Sequence, residues 1–315
     1  MNDKSLTLEF ERRWALTAGL LAVLGVALIA GSYVYGGSQI PNGDGGPGDY
    51  LMGIDGHRSV QIISSILQAI GYALLAVPMV FLFKAAAARA PQIRTGLIGV
   101  VVAAPLFMGA AAVTNAVSNL DAATQFKNDG PAKIQECVAD ENKKAADSTD
   151  EDTKSPEDIE TDCRDDVADD MRGGTSTSGL TAGFGLAGII GFTVAVVYTS
   201  LWAMRVGLIS RFWGSLGMAL GAVSILFPLF VLLWFIYIGL LIAGWIPGGR
   251  PAAWPAGEAI PWPMPGEKLA EDLEGEDDVI EGSAEPIDPH EGTSAPEPED
   301  APQIERRKRK KRSDQ

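Results

Sequence analysis

The apolar run from Gly214 to Ile246 constrains this chain more than any other stretch, because it contains no Asp, Glu, Lys, Arg or His. A water-soluble domain does not bury an uninterrupted stretch of that length and composition, so the run belongs in a membrane. As a single helix it would be about 50 Å long, whereas the hydrocarbon core of a bilayer is about 30 Å thick. The run therefore needs a strong tilt, a projection into the headgroup layer, or a break.

Pro228 favours the break, because proline removes a backbone donor and clashes with the preceding turn of a helix. The two resulting segments, Phe212 to Phe227 and Pro228 to Ile246, are each somewhat shorter than the ~20 residues that a span prefers. Lys and Arg clusters stay on the cytoplasmic side, and Arg250 and a basic C-terminal cluster follow the run. We therefore expect a tight hairpin near Leu226 to Pro228 and six spans. Five spans with an external tail is the alternative.

Four further apolar stretches predict spans at Trp14–Tyr35, Ser59–Phe83, Thr95–Leu120 and Leu180–Ala203. A cleaved signal peptide is the alternative for the first, although its apolar core would usually be shorter. The Gly- and Pro-rich loop between the first two, Gly36 to Arg58, is expected to be irregular.

The predicted fold class is an all-α, polytopic transmembrane helical bundle of the plasma membrane, with an extracytoplasmic helical-hairpin insert and a disordered C-terminal tail. Both termini are expected in the cytoplasm. The predicted order is a cytoplasmic N-terminus (1–13), spans 1–3 (14–120), an acidic extracytoplasmic loop with a disulfide (121–179), spans 4–6 (180–246), and a Pro-rich acidic cytoplasmic tail ending in a polybasic cluster (247–315).

Cys137 and Cys163 are the only cysteines, and both fall in the acidic loop. Two thiols in a small module of an oxidising compartment usually pair, so a disulfide is expected. Pro131 is a candidate first residue for a helix through Cys137, and Ser155 is a candidate cap for a second helix that Pro156 opens. The loop is therefore interpreted as a helical hairpin closed by the disulfide; two unpaired thiols in a mobile loop is the alternative.

The formal net charge is −15, and the acidic residues are concentrated in residues 121–179 and 250–304, neither of which offers the basic face that a DNA-binding protein needs. Asp165, Asp166, Asp169 and Asp170 were weighed as a cation site, but the Gly-punctuated spacing of a calcium-binding loop is missing. A solvated acidic surface explains them better. The chain also lacks the metalloprotease, phosphate-loop and serine-hydrolase motifs. We predict no catalytic residues, no metal and no cofactor.

Gln61 and Gln68 share one face of the second predicted span, and Asn115 and Asn119 lie near the end of the third. In hydrocarbon such side chains seek hydrogen-bond partners on other helices. Interhelical hydrogen bonding is the favoured interpretation, and a path for a small solute is the alternative. No acid or base lies within a span core, so an ion-coupled pump has no evident machinery.

A basic cluster ends the chain, and its charge suits anionic lipid or a cytoplasmic partner. The candidate lipid-binding residues are Arg306, Arg307, Lys308, Arg309, Lys310, Lys311 and Arg312. The bilayer and another membrane protein complete the expected partners, and DNA is excluded.

Three motifs suggest a resemblance: Glu11-Arg12-Arg13-Trp14 at the start of the first span, Gly249-Arg250-Pro251-Ala252-Ala253-Trp254, and Gly257-Glu258-Ala259-Ile260-Pro261-Trp262. With the spacing of the spans, over about residues 9–265, they resemble a family of uncharacterised multi-pass membrane proteins of high-GC bacteria. The resemblance implies about six spans and supplies no activity.

The sequence therefore favours a membrane protein without catalytic machinery: a scaffold, a sensor or an accessory subunit. A small-solute transporter or channel that uses the polar residues of spans 2 and 3 is the alternative.

Overall fold

The computed structural model describes residues 3–40, 46–147 and 155–263 of the chain. These residues form helices joined by short turns: α1 (Asp3–Gln39), α2 (Pro47–Gly56), α3 (Arg58–Ala87), a 3₁₀ turn (Thr95–Leu97), α4 (Ile98–Asp147), α5 (Pro156–Gly173), α6 (Ser178–Arg205), α7 (Arg211–Val223), α8 (Phe230–Ala243) and α9 (Ala253–Ala256). The C-terminal basic cluster, Arg306 to Arg312, and most of the predicted tail lie outside the described residues.

Four of the described helices, α1, α3, α4 and α6, are long and apolar enough to cross a membrane. They pack in the order α1–α3–α4–α6, with α8 against α1 and α7 against α6. Glycines permit the closest approaches: a Cβ added to Gly25 of α1 would lie 2.9 Å from the carbonyl oxygen of Gly71 in α3, so the two backbones touch. The all-α prediction is confirmed, and the chain is consistent with a membrane protein.

The predicted break at Pro228 is present, but its arms are short. The helices α7 and α8 have 13 and 14 residues and so reach about 20 Å each. The turn between them lies halfway along α6, where the hydroxyls of Ser224 and Thr193 are 3.3 Å apart. The described residues therefore contain four long helices and one short helical hairpin, rather than six helices of full span length.

The acidic loop begins with a continuation of the third predicted span rather than with a new helix. The helix α4 runs for 50 residues, about 75 Å, and Pro131 lies inside it instead of opening a second helix. The second predicted helix is α5, whose start is as expected: the Ser155 hydroxyl accepts from the backbone N–H of Asp158, and Pro156 follows. The expected disulfide joins Cys137 of α4 to Cys163 of α5.

The segment predicted to be an irregular loop contains the helix α2, which Pro47 opens. Leu51 and Ile54 are fully buried on its inner side, against Phe126 of α4 and Met171 of α5. These two apolar residues, three positions apart, form the buried side of this short helix. We call the end of the bundle formed by α2, α5 and the second half of α4 the disulfide end.

The opposite end is covered by residues 250–262, which we call the clasp. Arg89, just after α3, anchors it. The Arg89 side chain is fully buried, forms a two-pronged ion pair with Glu11 of α1, and donates hydrogen bonds to the carbonyl oxygens of Ala253 and Trp254. The Arg89 charge is therefore buried and structural rather than exposed to solvent.

Two indoles of the clasp complete this end of the bundle. The Trp254 N–H donates to the Leu208 carbonyl oxygen at 2.9 Å, and the Trp262 N–H donates to that of Ile209 at 2.8 Å. Trp254 is buried in protein and stacks on Phe81, rather than lying among lipid headgroups. The three motifs quoted for the resemblance therefore meet at this clasp end.

Candidate functional site

A polar cavity of about 280 Å³ lies at the disulfide end, between α1, α3 and α4 and beside α2. It is lined by Ser32, Tyr33, Gly36, Gly37, Ile40, Tyr50, Gln61, Ser64, Ser65, Gln68, Ala112 and Asn115. At about 30 Å³ per water, it has room for about nine waters or for one small solute. None of these lining residues carries a formal charge.

Three carboxamides supply most of the hydrogen-bonding capacity of the cavity: those of Gln61, Gln68 and Asn115. The two glutamines are two helical turns apart on α3, which places both on the side facing the cavity. No hydrogen bond to another described residue occupies these three amides, of which Gln61 is buried, Gln68 is half-buried and Asn115 is exposed. Each amide offers two donors and one acceptor oxygen to whatever fills the space.

The serine hydroxyls of the lining are partly satisfied by their own helices. Ser32 donates to the Ile29 carbonyl oxygen at 2.7 Å, and Ser65 donates to that of Ile62 at 2.8 Å. Each oxygen keeps free acceptor capacity after donating. The cavity therefore presents amide donors together with hydroxyl acceptors.

Tyr50 of α2 connects the cavity to the disulfide-linked helices. Its ring faces the guanidinium of Arg172 in α5, whose central carbon lies 5.6 Å from the ring centroid. Burial raises the pKa of the Tyr50 phenol, and the Arg172 charge partly opposes this shift. The phenol is therefore neutral at physiological pH and serves as a hydrogen-bonding group.

Two further contacts hold α2 on α5. The carboxylate of Asp49 pairs with Arg164 at 3.1 Å, and the Asp165 carboxylate accepts from the backbone N–H of Gly48 at 3.0 Å. One of the aspartates considered as a cation ligand thus positions the N-terminal turn of α2. A built Cβ on Gly48 would lie 2.8 Å from the Arg164 side chain, so the close approach requires glycine there.

The cavity ends on a closely packed layer toward the clasp end. A Cβ added to Gly71 of α3 would lie 2.6 Å from the side chain of Ile29 in α1, so no space remains between these helices. Leu75 and Leu82, further along α3, are fully buried, and Met79 is nearly so. This packed layer closes the cavity toward the clasp end between α1 and α3.

The structure brings three of the four predicted intramembrane polar residues together and leaves one out. Asn119 is buried one turn beyond Asn115, does not line the cavity, and its side-chain nitrogen has no hydrogen-bond partner. Sequence reasoning missed Ser32, Tyr33 and Tyr50. Tyr33 ends an apolar stretch, a position typical of aromatic residues that anchor a helix at the membrane interface, so its sequence position does not indicate a cavity.

The cavity has hydrogen-bonding groups but no group suited to proton transfer or metal binding. Carboxamides and hydroxyls do not change charge near neutral pH, and no carboxylate, imidazole or thiol lines the space. The arrangement can bind and orient an uncharged polar molecule. Comparison of the chain with models of known protein families, with curated proteins and with solved structures gives no match.

Proposed function

We propose that this chain is a non-catalytic membrane sensor that binds a small, uncharged, polar solute in the cavity at its disulfide end. The observation that carries this proposal is the set of unpaired carboxamides at Gln61, Gln68 and Asn115 above a packed floor. Amides without a protein partner are free to form hydrogen bonds with a ligand that enters the cavity. The absence of charge from the lining selects against ions.

The orientation that we propose puts the disulfide end outside the cytoplasm and the clasp end inside, in the plasma membrane. A disulfide persists in an oxidising compartment, which supports the first assignment. The basic residues Arg205, Arg211 and Arg250 near the clasp end support the second. The proposed topology has four spans, and the α7–α8 hairpin enters and leaves from the cytoplasmic side in place of spans five and six.

The orientation is tested by two reporter fusions in the full chain, one inserted at residue 151 between α4 and α5 and one placed after residue 263. We expect the first reporter to be extracytoplasmic and the second to be cytoplasmic. The same side for both fusions would overturn the topology. The reverse pair of results would turn the cavity toward the cytoplasm.

Ligand binding is tested on the full chain in mild detergent, by thermal unfolding in the presence of glycerol, a hexose, urea or a neutral amide. A ligand at 100 times its dissociation constant stabilises by about 2.7 kcal/mol, which corresponds to a rise in Tm on the order of 5–10 °C. We expect at least one of these probes to give such a rise and Gln68→Leu to abolish it.

Gln125→Leu is the matched control, because Gln125 lies on α4 outside the cavity and donates to Asp121. It should keep the response to the probe. A response that survives both Gln68→Leu and Asn115→Leu, or no response to any probe, would refute the proposal. The close packing of Gly71 against Ile29 argues against transport. If proteoliposomes that contain the chain took up a probe, and Gln68→Leu abolished this uptake, a transporter would replace the sensor as the proposed function.

A further inference from the structure

A second, apolar groove of about 490 Å³ lies on the opposite half of the bundle, near the clasp end. It is separate from the polar cavity and shares no residue with it. Its two main walls come from α1 and α3, and the residues that define them are Phe10, Trp14, Ala18, Val77, Val80 and Lys84.

Helical spacing explains why these side chains form continuous walls. Phe10, Trp14 and Ala18 recur every four residues along α1, and Val77, Val80 and Lys84 recur at three and four residues along α3. Each wall is therefore about 12 Å long. Ala18 on one wall and Ala76 beside the other leave the space that larger side chains would fill.

The groove opens toward the surroundings of the bundle, and Trp14 on its rim is 44% exposed. In a membrane those surroundings are hydrocarbon, and the apolar lining holds no water in place. An acyl chain matches both the shape and the chemistry of such a groove. A soluble ligand would have to leave water to reach it.

Lys84 supplies the only charge in the groove lining. It lies three residues before the end of α3, at the depth where lysine reaches the headgroup layer. Its ammonium lies 5.5 Å from the centroid of the Phe10 ring, and within the described chain no carboxylate pairs with it. The carboxylate of Glu11, the next residue on α1, is already engaged by Arg89.

A second cation lies beside the same rim. The guanidinium of Arg13 is 5.9 Å from the centroid of the Trp14 ring, which belongs to the α1 wall. The rim at the clasp end is therefore positively charged and the interior of the groove is apolar. This arrangement is complementary to an acidic phospholipid, which has a negatively charged headgroup and apolar acyl chains.

We propose that this groove is a binding site for an acidic phospholipid. One acyl chain lies between the walls of α1 and α3, and the phosphate and the acidic headgroup lie against the Lys84 ammonium. The charge of Lys84 selects acidic over zwitterionic lipid, and the apolar walls hold the chain whatever the headgroup is. This site does not depend on what the polar cavity binds.

The test is native mass spectrometry of the full chain in detergent, with equal amounts of phosphatidylglycerol and phosphatidylcholine that carry identical acyl chains. One cation near a membrane surface changes the binding of an acidic lipid about fivefold. We expect the first bound lipid to be phosphatidylglycerol by about that factor. Lys84→Gln should reduce the preference to near one and still bind both lipids.

Two further variants separate the charge from the groove. Val77→Phe fills the space between the walls and should lower the binding of both lipids alike. Arg12→Gln removes an exposed cation on the opposite side of α1 and should leave the preference unchanged. Each variant is first checked for native helix content and for the intact disulfide, which lies at the far end of the bundle.

Three results would overturn the proposal. The unmodified chain could bind both lipids equally; Lys84→Gln could keep the full preference; or Arg12→Gln could lose it. Recovery of a dimer that Val77→Phe dissociates would place a second copy of the chain in the groove instead of a lipid, and would overturn it as well.

Discussion

The buried ion pair between Glu11 and Arg89 should be the most sensitive point of the clasp end. The Arg89 side chain has no exposed surface, and that of Glu11 is 4% exposed. Glu11→Gln keeps the shape of the side chain but removes its charge and replaces one of the two oxygens that accept from Arg89 by an NH2 donor. The guanidinium then stays buried with only uncharged acceptors, which are the new amide oxygen and the carbonyl oxygens of Ala85, Ala253 and Trp254.

Removing one partner of a buried pair costs about 3–5 kcal/mol, because the remaining charge is uncompensated. The three carbonyl oxygens on Arg89 place the expected cost at the lower end, about 3 kcal/mol. For a chain of this size that corresponds to a fall in Tm of about 6–12 °C. The assay is thermal unfolding in mild detergent, followed by tryptophan fluorescence, since Trp254 lies against the pair.

The double variant Glu11→Gln/Arg89→Met separates the loss of the pair from the loss of a single charge. Replacing both members of a buried pair by uncharged groups is often close to neutral. We therefore expect the double variant to be more stable than Glu11→Gln alone. A Tm for Glu11→Gln within about 2 °C of the unmodified chain would refute the reasoning, and so would additive effects of the two substitutions.

Gly19→Ala should destabilise the chain by about 1–3 kcal/mol, because the new Cβ would lie 2.6 Å from a backbone oxygen of α8. Gly31→Ala on the same helix places its Cβ within 4 Å of nothing and should not destabilise the chain; thermal unfolding of the two variants tests this. Cys163→Ser should lower stability by about 3 kcal/mol and speed amide hydrogen exchange in α5, since the bond closes a loop with a sequence separation of 26. Arg172→Gln should raise the pKa of Tyr50 further, because the guanidinium favours the phenolate; ultraviolet titration with Tyr50→Phe as the blank measures it.

The four long helices were predictable because each is an apolar stretch whose length matches a bilayer. The start of α5 was predictable as well, since Ser155 and Pro156 act through local backbone chemistry. The continuity of α4 was not. Pro131 suits the first turn of a helix, but it also fits inside one where the neighbouring turn tolerates the lost hydrogen bond.

The cavity was predictable in part for a related reason. Two glutamines on one face of a helix indicate a shared environment, and α3 does turn Gln61 and Gln68 toward the same space. The space beside these glutamines could be filled by a neighbouring side chain or left as a cavity. Which of the two occurs depends on the packing of helices that are distant in the sequence. Tyr50 joined the site only because α2 folds back onto α4 and α5, and its short pattern carried no signal of that docking.

Buried charge was harder to predict, and the reason also applies to the number of spans. Hydropathy and charge describe a residue but not its surroundings. Arg89 is a cation between two apolar stretches of the sequence, yet its side chain is buried and bonded to carbonyl oxygens of the clasp. Phe235 and Ile238 of α8 belong to the apolar run predicted to lie in the membrane, and the protein itself buries them, whereas Leu226 at the hairpin turn is 73% exposed. An apolar run that fills a protein core and one that crosses a bilayer have the same composition, so only the packing against α1 and α6 distinguishes them.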